Sequence, residues 1–176
     1  FGGFNFMEFL KDDKVIVNPL RIREEITNEL ESNIVLYYTG TSRISSVIID
    51  EQKKNVDARN EKSIEAMHML KQQAVLMKEA ILTGNLNDIG NILNESWLQK
   101  KRMANGISNA DIDKIYDAAT KAGASGGKIS GAGGGSYMFF YCPNNTRYKV
   151  RETLRSFGGD TLRFQFTKSG VKTWSF

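Results

Sequence analysis

The stretch Lys128-Ile129-Ser130-Gly131-Ala132-Gly133-Gly134-Gly135-Ser136 places four glycines within the five positions 131–135. Glycine lacks the side chain that keeps a backbone away from a ligand, so successive N–H groups in such a loop can converge on an anion. A tight hairpin also uses glycine, but one or two suffice, and each further one costs conformational entropy on folding. Spacing alone leaves both readings open. Two well-known phosphate patterns do not fit. The P-loop requires glycine where Ala122 stands and serine or threonine where Ile129 stands. The dinucleotide fingerprint G-x-G-x-x-G ends on Ser136 instead of glycine, and a strand follows where a helix is needed.

Basic residues supply the second chemical theme. Arg43 follows Thr39-Gly40-Thr41-Ser42, at the end of a predicted strand, where a guanidinium can grip a phosphate through two parallel hydrogen bonds or simply face solvent. Lys100, Lys101 and Arg102 end a predicted helix. Cations there favour the helix dipole, and they can also hold a substrate phosphate, with Lys101 the first candidate and Arg102 beside it. His68 is the only histidine, and one histidine does not make a metal site. No metal site is expected. Cys142 ends an aromatic stretch and reads as a buried thiol. Met67, Met69, Met77, Trp97 and Trp174 read as packing.

The elements that must position these groups follow from periodicity. Phe4, Phe6 and Phe9, the polar turn Lys11–Lys14, and Val15–Val17 predict a hairpin closed by Pro19. Residues 33–39 (NIVLYYT) predict a buried strand, residues 42–50 a short helix, and residues 51–60 a loose charged crossover. Ile64, Met67, Ala74, Met77 and Ile81 share one face of a helix over 61–82 that Gly84 stops. Leu86, Ile89, Leu93 and Trp97 carry a second helix. Ser108-Asn109-Ala110-Asp111 starts a third, which Gly123 ends. Strands over 127–130 and 137–142 flank the glycine loop, too closely joined to be parallel. A helix carrying Val150, Leu154 and Phe157 opens at Pro143-Asn144-Asn145. Strands over 161–166 and 171–174 complete the chain. The sum is an α+β fold, an antiparallel sheet with helices packed on one face.

The chain has 176 residues, 40% hydrophobic and 25% charged, enough for one core without staples. The net charge of +4 suits an anionic ligand without demanding nucleic acid. The single cysteine allows no internal disulfide and predicts a reducing, cytoplasmic setting. No apolar run reaches the length of a membrane span. The opening Phe1-Gly2-Gly3-Phe4-Asn5-Phe6 already looks like a strand and lacks an initiator methionine, so a piece of a longer protein is expected.

GGKISGAGGGSYMFF, at 126–140, resembles the third conserved motif of the GHMP kinases, the galactokinase, homoserine, mevalonate and phosphomevalonate kinases. FGGFNFMEF at the start, LYYTGTSRISS at 36–46 and ESWLQKKRM at 95–103 resemble the branch that phosphorylates D-glycero-D-manno-heptose 7-phosphate at its anomeric hydroxyl. The resemblance runs over nearly the whole chain. It implies two lobes with the active site between them, residues 1–30 ending the first lobe and residues 31–176 forming a ferredoxin-like second lobe. It also implies ATP and Mg²⁺ as cofactors, held mainly by the first lobe, whose phosphate loop and acidic catalytic residue are expected upstream of Phe1. By the same resemblance Lys128, Ser130, Gly131, Ala132, Gly133, Gly134 and Gly135 are the contacts to nucleotide or phosphate loop, and Arg43, Lys101 and Arg102 the contacts to substrate. Ser136 stands where the family often has another glycine. The implied product serves the synthesis of nucleotide-activated heptose for surface polysaccharide. Partners are then the sugar phosphate and the first lobe, with neither nucleic acid nor membrane; oligomeric state is left open.

Two other classes compete. An RNA-binding module would use the aromatic run Tyr137–Tyr141 as a stacking platform, but the leading Lys/Arg-Gly of that motif is missing and the basic residues are scattered. A non-catalytic ligand-binding or dimerisation domain predicts a stable dimer and binding without turnover.

Overall fold

The computed structural model describes residues 1–41 and 45–175. Strands β1 (Asn5–Phe9) and β2 (Val15–Pro19) form the expected hairpin, antiparallel, with Met7 opposite Val17. Helix α1 (Glu24–Asn33) leads directly into β3 (Ile34–Tyr38). Helices α2 (Ser45–Asp57), α3 (Glu61–Thr83) and α4 (Asn87–Met103) follow, then a short helical turn, Asn105–Ile107, and α5 (Ala110–Ala122). Strands β4 (Gly126–Ile129) and β5 (Tyr137–Tyr141) bracket the glycine loop, and α6 (Arg147–Arg155) and β6 (Asp160–Leu162) complete the domain. The main sheet runs β4-β5-β3-β6, every neighbouring pair antiparallel. The α+β reading with an antiparallel sheet therefore holds.

Strand alternation explains where the core lies. Val35 pairs with Phe140 and Tyr37 with Met138, so these four share one face. They are buried in one cluster with Trp97 of α4, Ile112, Ile115 and Ala119 of α5, and Val150 and Leu154 of α6. The other face carries Ile34, Leu36, Phe139, Tyr141 and Lys128, since Phe139 lies opposite both Leu36 and Lys128. Only part of this face is covered: Tyr141 sits in a second cluster with Ile26 and Leu30 of α1 and Ile89 and Leu93 of α4. Helix α4 reaches β4 this closely because both contact residues are glycine. A Cβ on Gly126 would lie 1.9 Å from the Gly90 carbonyl oxygen.

Caps fall where the sequence places them. The Asn60 side chain accepts from Ser63 N at 3.1 Å, and Asn109 Oδ1 accepts from Asp111 N and Ile112 N. Gly84 ends α3 with φ +77. Three expectations need correction, and one helix is not foreseen. Residues 51–57 are helical, not a loose crossover, because their polar side chains have tertiary partners: Asn55 Nδ2 donates to the Met103 carbonyl at 2.8 Å, and Glu51 Oε1 accepts from Asn105 N at 2.9 Å. Helix α1 has no counterpart in the periodicity reading, since only Ile26 and Leu30 of its ten residues are buried. The strand over 161–166 shortens to Asp160–Leu162. Beyond it the Phe166 amide donates to Glu31 Oε2 at 3.1 Å, and the Phe166 ring packs tilted against Phe4 and edge-on against Phe164 instead of joining the sheet. Residues 171–174 form no strand; they lie exposed at the end of the chain.

Candidate functional site

The glycine loop divides into two parts with different jobs. Gly133, Gly134 and Gly135 are buried, whereas Ser130 and Gly131 are exposed. The buried part is packed on its own chain. A Cβ on Gly133 would lie 2.8 Å from Ile107 Cα, one on Gly135 would lie 2.8 Å from the Thr41 carbonyl oxygen, and Gly134 N donates to the Ile107 carbonyl at 2.9 Å. Ser136 N donates to the Thr41 carbonyl at 2.7 Å and to Thr39 Oγ1 at 3.0 Å, which fixes the exit of the loop. The exposed part is different. Gly131 has φ +83, yet a Cβ there would meet nothing within 4 Å. The N–H groups of Gly131, Ala132 and Gly133 have no acceptor among the described residues. Successive unpaired N–H groups on a turn are a natural anion nest.

Beside this rim lies a cavity of about 600 Å³ between α3, α4 and the less covered sheet face, lined mainly by apolar groups such as Leu70, Met77, Leu93 and Phe139. Gly131 and Ala132 line it too. Among its described lining residues only Lys100 and Lys128 carry charge, and both are cations. Lys100 reaches it from the last turn of α4, and its Nζ donates to the Gly131 carbonyl. Burial, and then the neighbouring Lys128 ammonium, pushes Lys100 down to about 8. Burial likewise lowers Lys128.

The other candidate cations are differently placed. Lys101 Nζ pairs with Asp113 Oδ1 at 3.2 Å and lies 5.5 Å from the centre of the Trp97 ring, tying α4 to α5. Arg102 pairs with Glu65 of α3 and donates to Gln99 Oε1 at 2.6 Å. Arg43 lies outside the described residues. The structure thus brings Lys128, Gly131 and Ala132 together with Lys100, the member of the 100–102 triplet that sequence reasoning ranked below Lys101. A signal for Lys100 did exist. It follows Leu93 by seven positions and Ser96 by four, which continues the buried stripe of α4. On the sheet, Phe140 and Tyr141 are buried, so β5 does not offer the run of exposed rings that an RNA platform needs. Among the described residues no three His, Cys, Asp or Glu side chains gather as a metal site, and no helix is long and apolar enough to cross a membrane.

Comparison with known proteins identifies relatives of the fold. Residues 77–160 match the family described as GHMP kinases C terminal. The chain is 45% identical over 174 residues to a D-glycero-alpha-D-manno-heptose 7-phosphate kinase of Campylobacter jejuni, covering 99% of this chain and 51% of that protein. A solved D-glycero-D-manno-heptose 1-phosphate kinase from Bacteroides thetaiotaomicron superposes with a TM-score of 0.68 at 38% identity, over 99% of this chain and 47% of that one. Mevalonate kinase of L. major, solved with R-mevalonate, shares the fold alone, at 16% identity and a TM-score of 0.74, over 97% of this chain and 51% of that one. The chain spans about half the length of the heptose kinase relatives. It carries a GHMP kinase C-terminal domain and is homologous to the sugar kinases of that family.

Proposed function

We propose that this chain is the second lobe, with the last strands of the first, of an ATP-dependent kinase that phosphorylates the anomeric hydroxyl of D-glycero-D-manno-heptose 7-phosphate in the cytoplasm, for nucleotide-activated heptose. Residues 1–30 finish the first lobe and residues 31–176 form the second. The observation that carries the reading is the exposed rim of the glycine loop. Its N–H groups at 131 and 132 are unpaired among the described residues, and they open beside a basic, otherwise apolar cavity. Phosphoryl transfer asks mainly for alignment and charge neutralisation, and that rim supplies both for an anionic group without covalent chemistry. The cavity holds no acidic side chain among its described lining, so its residues suit phosphate and not Mg²⁺. The metal and most of the ATP site belong to the first lobe in this reading. Mg²⁺ there would neutralise the charge on the transferring phosphates.

The names of the two heptose kinase relatives differ in the position of the phosphate, 7 in one and 1 in the other. The 45% relative favours the 7-phosphate as substrate. The test is ADP release from Mg-ATP with heptose 7-phosphate, run on this chain and on a chain extended upstream through the first lobe. Activity only in the extended protein is expected. Activity in the short chain, or none in either folded protein, overturns the proposal.

A further inference from the structure

We infer that Lys100 and Lys128 together form a seat for a phosphate monoester within the cavity beside the glycine loop. The inference rests on the kinase reading only for which phosphate it is; the seat itself rests on two cations placed on one largely apolar wall. Charges that are partly withdrawn from water in folded proteins are usually paired, and Lys100 and Lys128 are both half-buried. Here two ammonium groups line one largely apolar cavity, and no carboxylate lines it among the described residues. Lys100 has the Gly131 carbonyl, a neutral dipole that offsets part of one charge. Lys128 stands on the sheet face opposite Phe139, on the same side as Leu36, and makes no ion pair among the described residues. The Lys128 ammonium disfavours the charged form of Lys100, and no carboxylate on the cavity wall compensates among the described residues.

A single dianion between the two ammonium groups offsets both their repulsion and their partial loss of water. A phosphate monoester carries about −1.5 to −2 at neutral pH and offers three acceptor oxygens, enough for both ammonium groups. The cavity volume of about 600 Å³ lies within the range of small-ligand pockets. Its apolar remainder fits the carbon skeleton of a small ligand more readily than a run of phosphates. The neighbouring N–H groups at 131 and 132 remain available for a second anionic group. Lys101 and Arg102, beside Lys100 in sequence, already hold carboxylates of α5 and α3 and serve as internal controls.

The test uses the full-length protein that carries this chain and maps lysine acylation by a neutral reagent, residue by residue, by mass spectrometry. Inorganic phosphate should slow acylation of Lys100 and Lys128, by about fivefold or more if each ammonium is engaged in a charge-assisted hydrogen bond, and leave exposed Lys121 unchanged. Lys128→Met should abolish the protection at Lys100, and Lys128→Arg should retain it. Heptose 7-phosphate and ATP are then compared as protecting ligands. Protection by the sugar phosphate alone assigns the seat to the substrate's own phosphate, and protection by ATP alone assigns it to the nucleotide; both support the seat. Equal acylation with and without every phosphate ligand overturns it, as does protection that survives unchanged in Lys128→Met. The kinase reading fails separately. Protection without ADP release on any sugar phosphate would leave the seat standing and remove the kinase, whereas ADP release with the KM values for both heptose 7-phosphate and ATP untouched by Lys128→Met would do the opposite.

Discussion

Alanine substitutions at Gly133 and Gly131 probe the division of the glycine loop directly. At Gly133 the added methyl would sit 2.8 Å from Ile107 Cα and 2.9 Å from its carbonyl oxygen. Both are backbone atoms that no rotamer change can move aside, and φ there is +126. A positive φ costs an L-residue about 1–2 kcal/mol, and overpacking against a fixed neighbour adds about 1–3 kcal/mol, so Gly133→Ala should destabilise by about 2–5 kcal/mol. For a domain of this size that lowers Tm by roughly 5–20 °C. At Gly131, φ is +83 but a methyl would meet nothing within 4 Å. Only the conformational cost applies there, about 1–2 kcal/mol or roughly 2–8 °C in Tm. Thermal unfolding followed by circular dichroism on both variants and the parent measures the difference. Equal losses within about 2 °C, the shift of under one kcal/mol, would refute the claim that one half of the loop is packed and the other free. If the chain extended upstream is the proposed kinase, the order should invert relative to stability: a folded Gly131→Ala should still lose affinity for a phosphate ligand, because its methyl projects from the rim.

Ser136 holds φ +83 with no hydrogen bond from its side chain among the described residues, so Ser136→Gly should relieve strain and raise Tm by roughly 1–4 °C; a lower Tm would show that the hydroxyl matters. Cys142 is fully buried, and burial pushes its thiol up to about 12, so aromatic disulfide reagents should label it at neutral pH only at the rate of unfolding; fast labelling of the native protein contradicts its placement. Lys100 is held down to about 8 by burial and by Lys128, the only other charged group among the described residues that line its cavity. Between about 8 and its ordinary 10.5 the unfolded chain keeps this proton while the folded one releases it, so this group makes stability rise with pH across that window. Lys100→Met should therefore stabilise the protein most below pH 8, and the gain should shrink above it, as read from denaturant midpoints at neutral and alkaline pH. A gain independent of pH would mean that the lysine is solvated.

The sequence was most legible where a local signal and a tertiary contact agree. The hairpin, the long α3 and its stop at Gly84, the Asn109 cap and the antiparallel β4–β5 pair are all local in origin, and all are present. Misreadings arise where distant partners decide. Residues 51–57 look like a solvated loop until Met103 and Asn105 supply acceptor and donor for Asn55 and Glu51. The expected strand past Leu162 alternates well, but the Phe166 amide is taken by Glu31, far away in sequence, and its ring by Phe4.

The site shows the same division at finer scale. Four glycines in a row of five look like one motif, because sequence cannot distinguish a glycine needed for a close backbone approach from one needed only for its φ. Ile107 and Thr41 make that distinction: they claim Gly133 and Gly135 and leave Gly131 free. The lysines follow a related logic. Lys100, Lys101 and Arg102 are equivalent as a charge run, and the run alone favours whichever cation is imagined nearest a ligand. What separates them is which carboxylates lie within reach. Asp113 pairs with Lys101 and Glu65 with Arg102, while Lys100 is turned by the helix toward a wall whose one other charge among the described residues is Lys128. A cation becomes a candidate for binding an anion not by its own type but by the absence of an internal partner, and that is a property of three elements packed together. Substituting Asp113 by asparagine makes the point testable: Lys101 would lose its partner at 3.2 Å without entering the cavity, so acylation of Lys101 should rise while phosphate protection at Lys100 stays as it was. If Asp113→Asn instead shifted the protection from Lys100 to Lys101, partner availability alone would govern the site, and the placement of Lys100 on the cavity wall would lose its meaning.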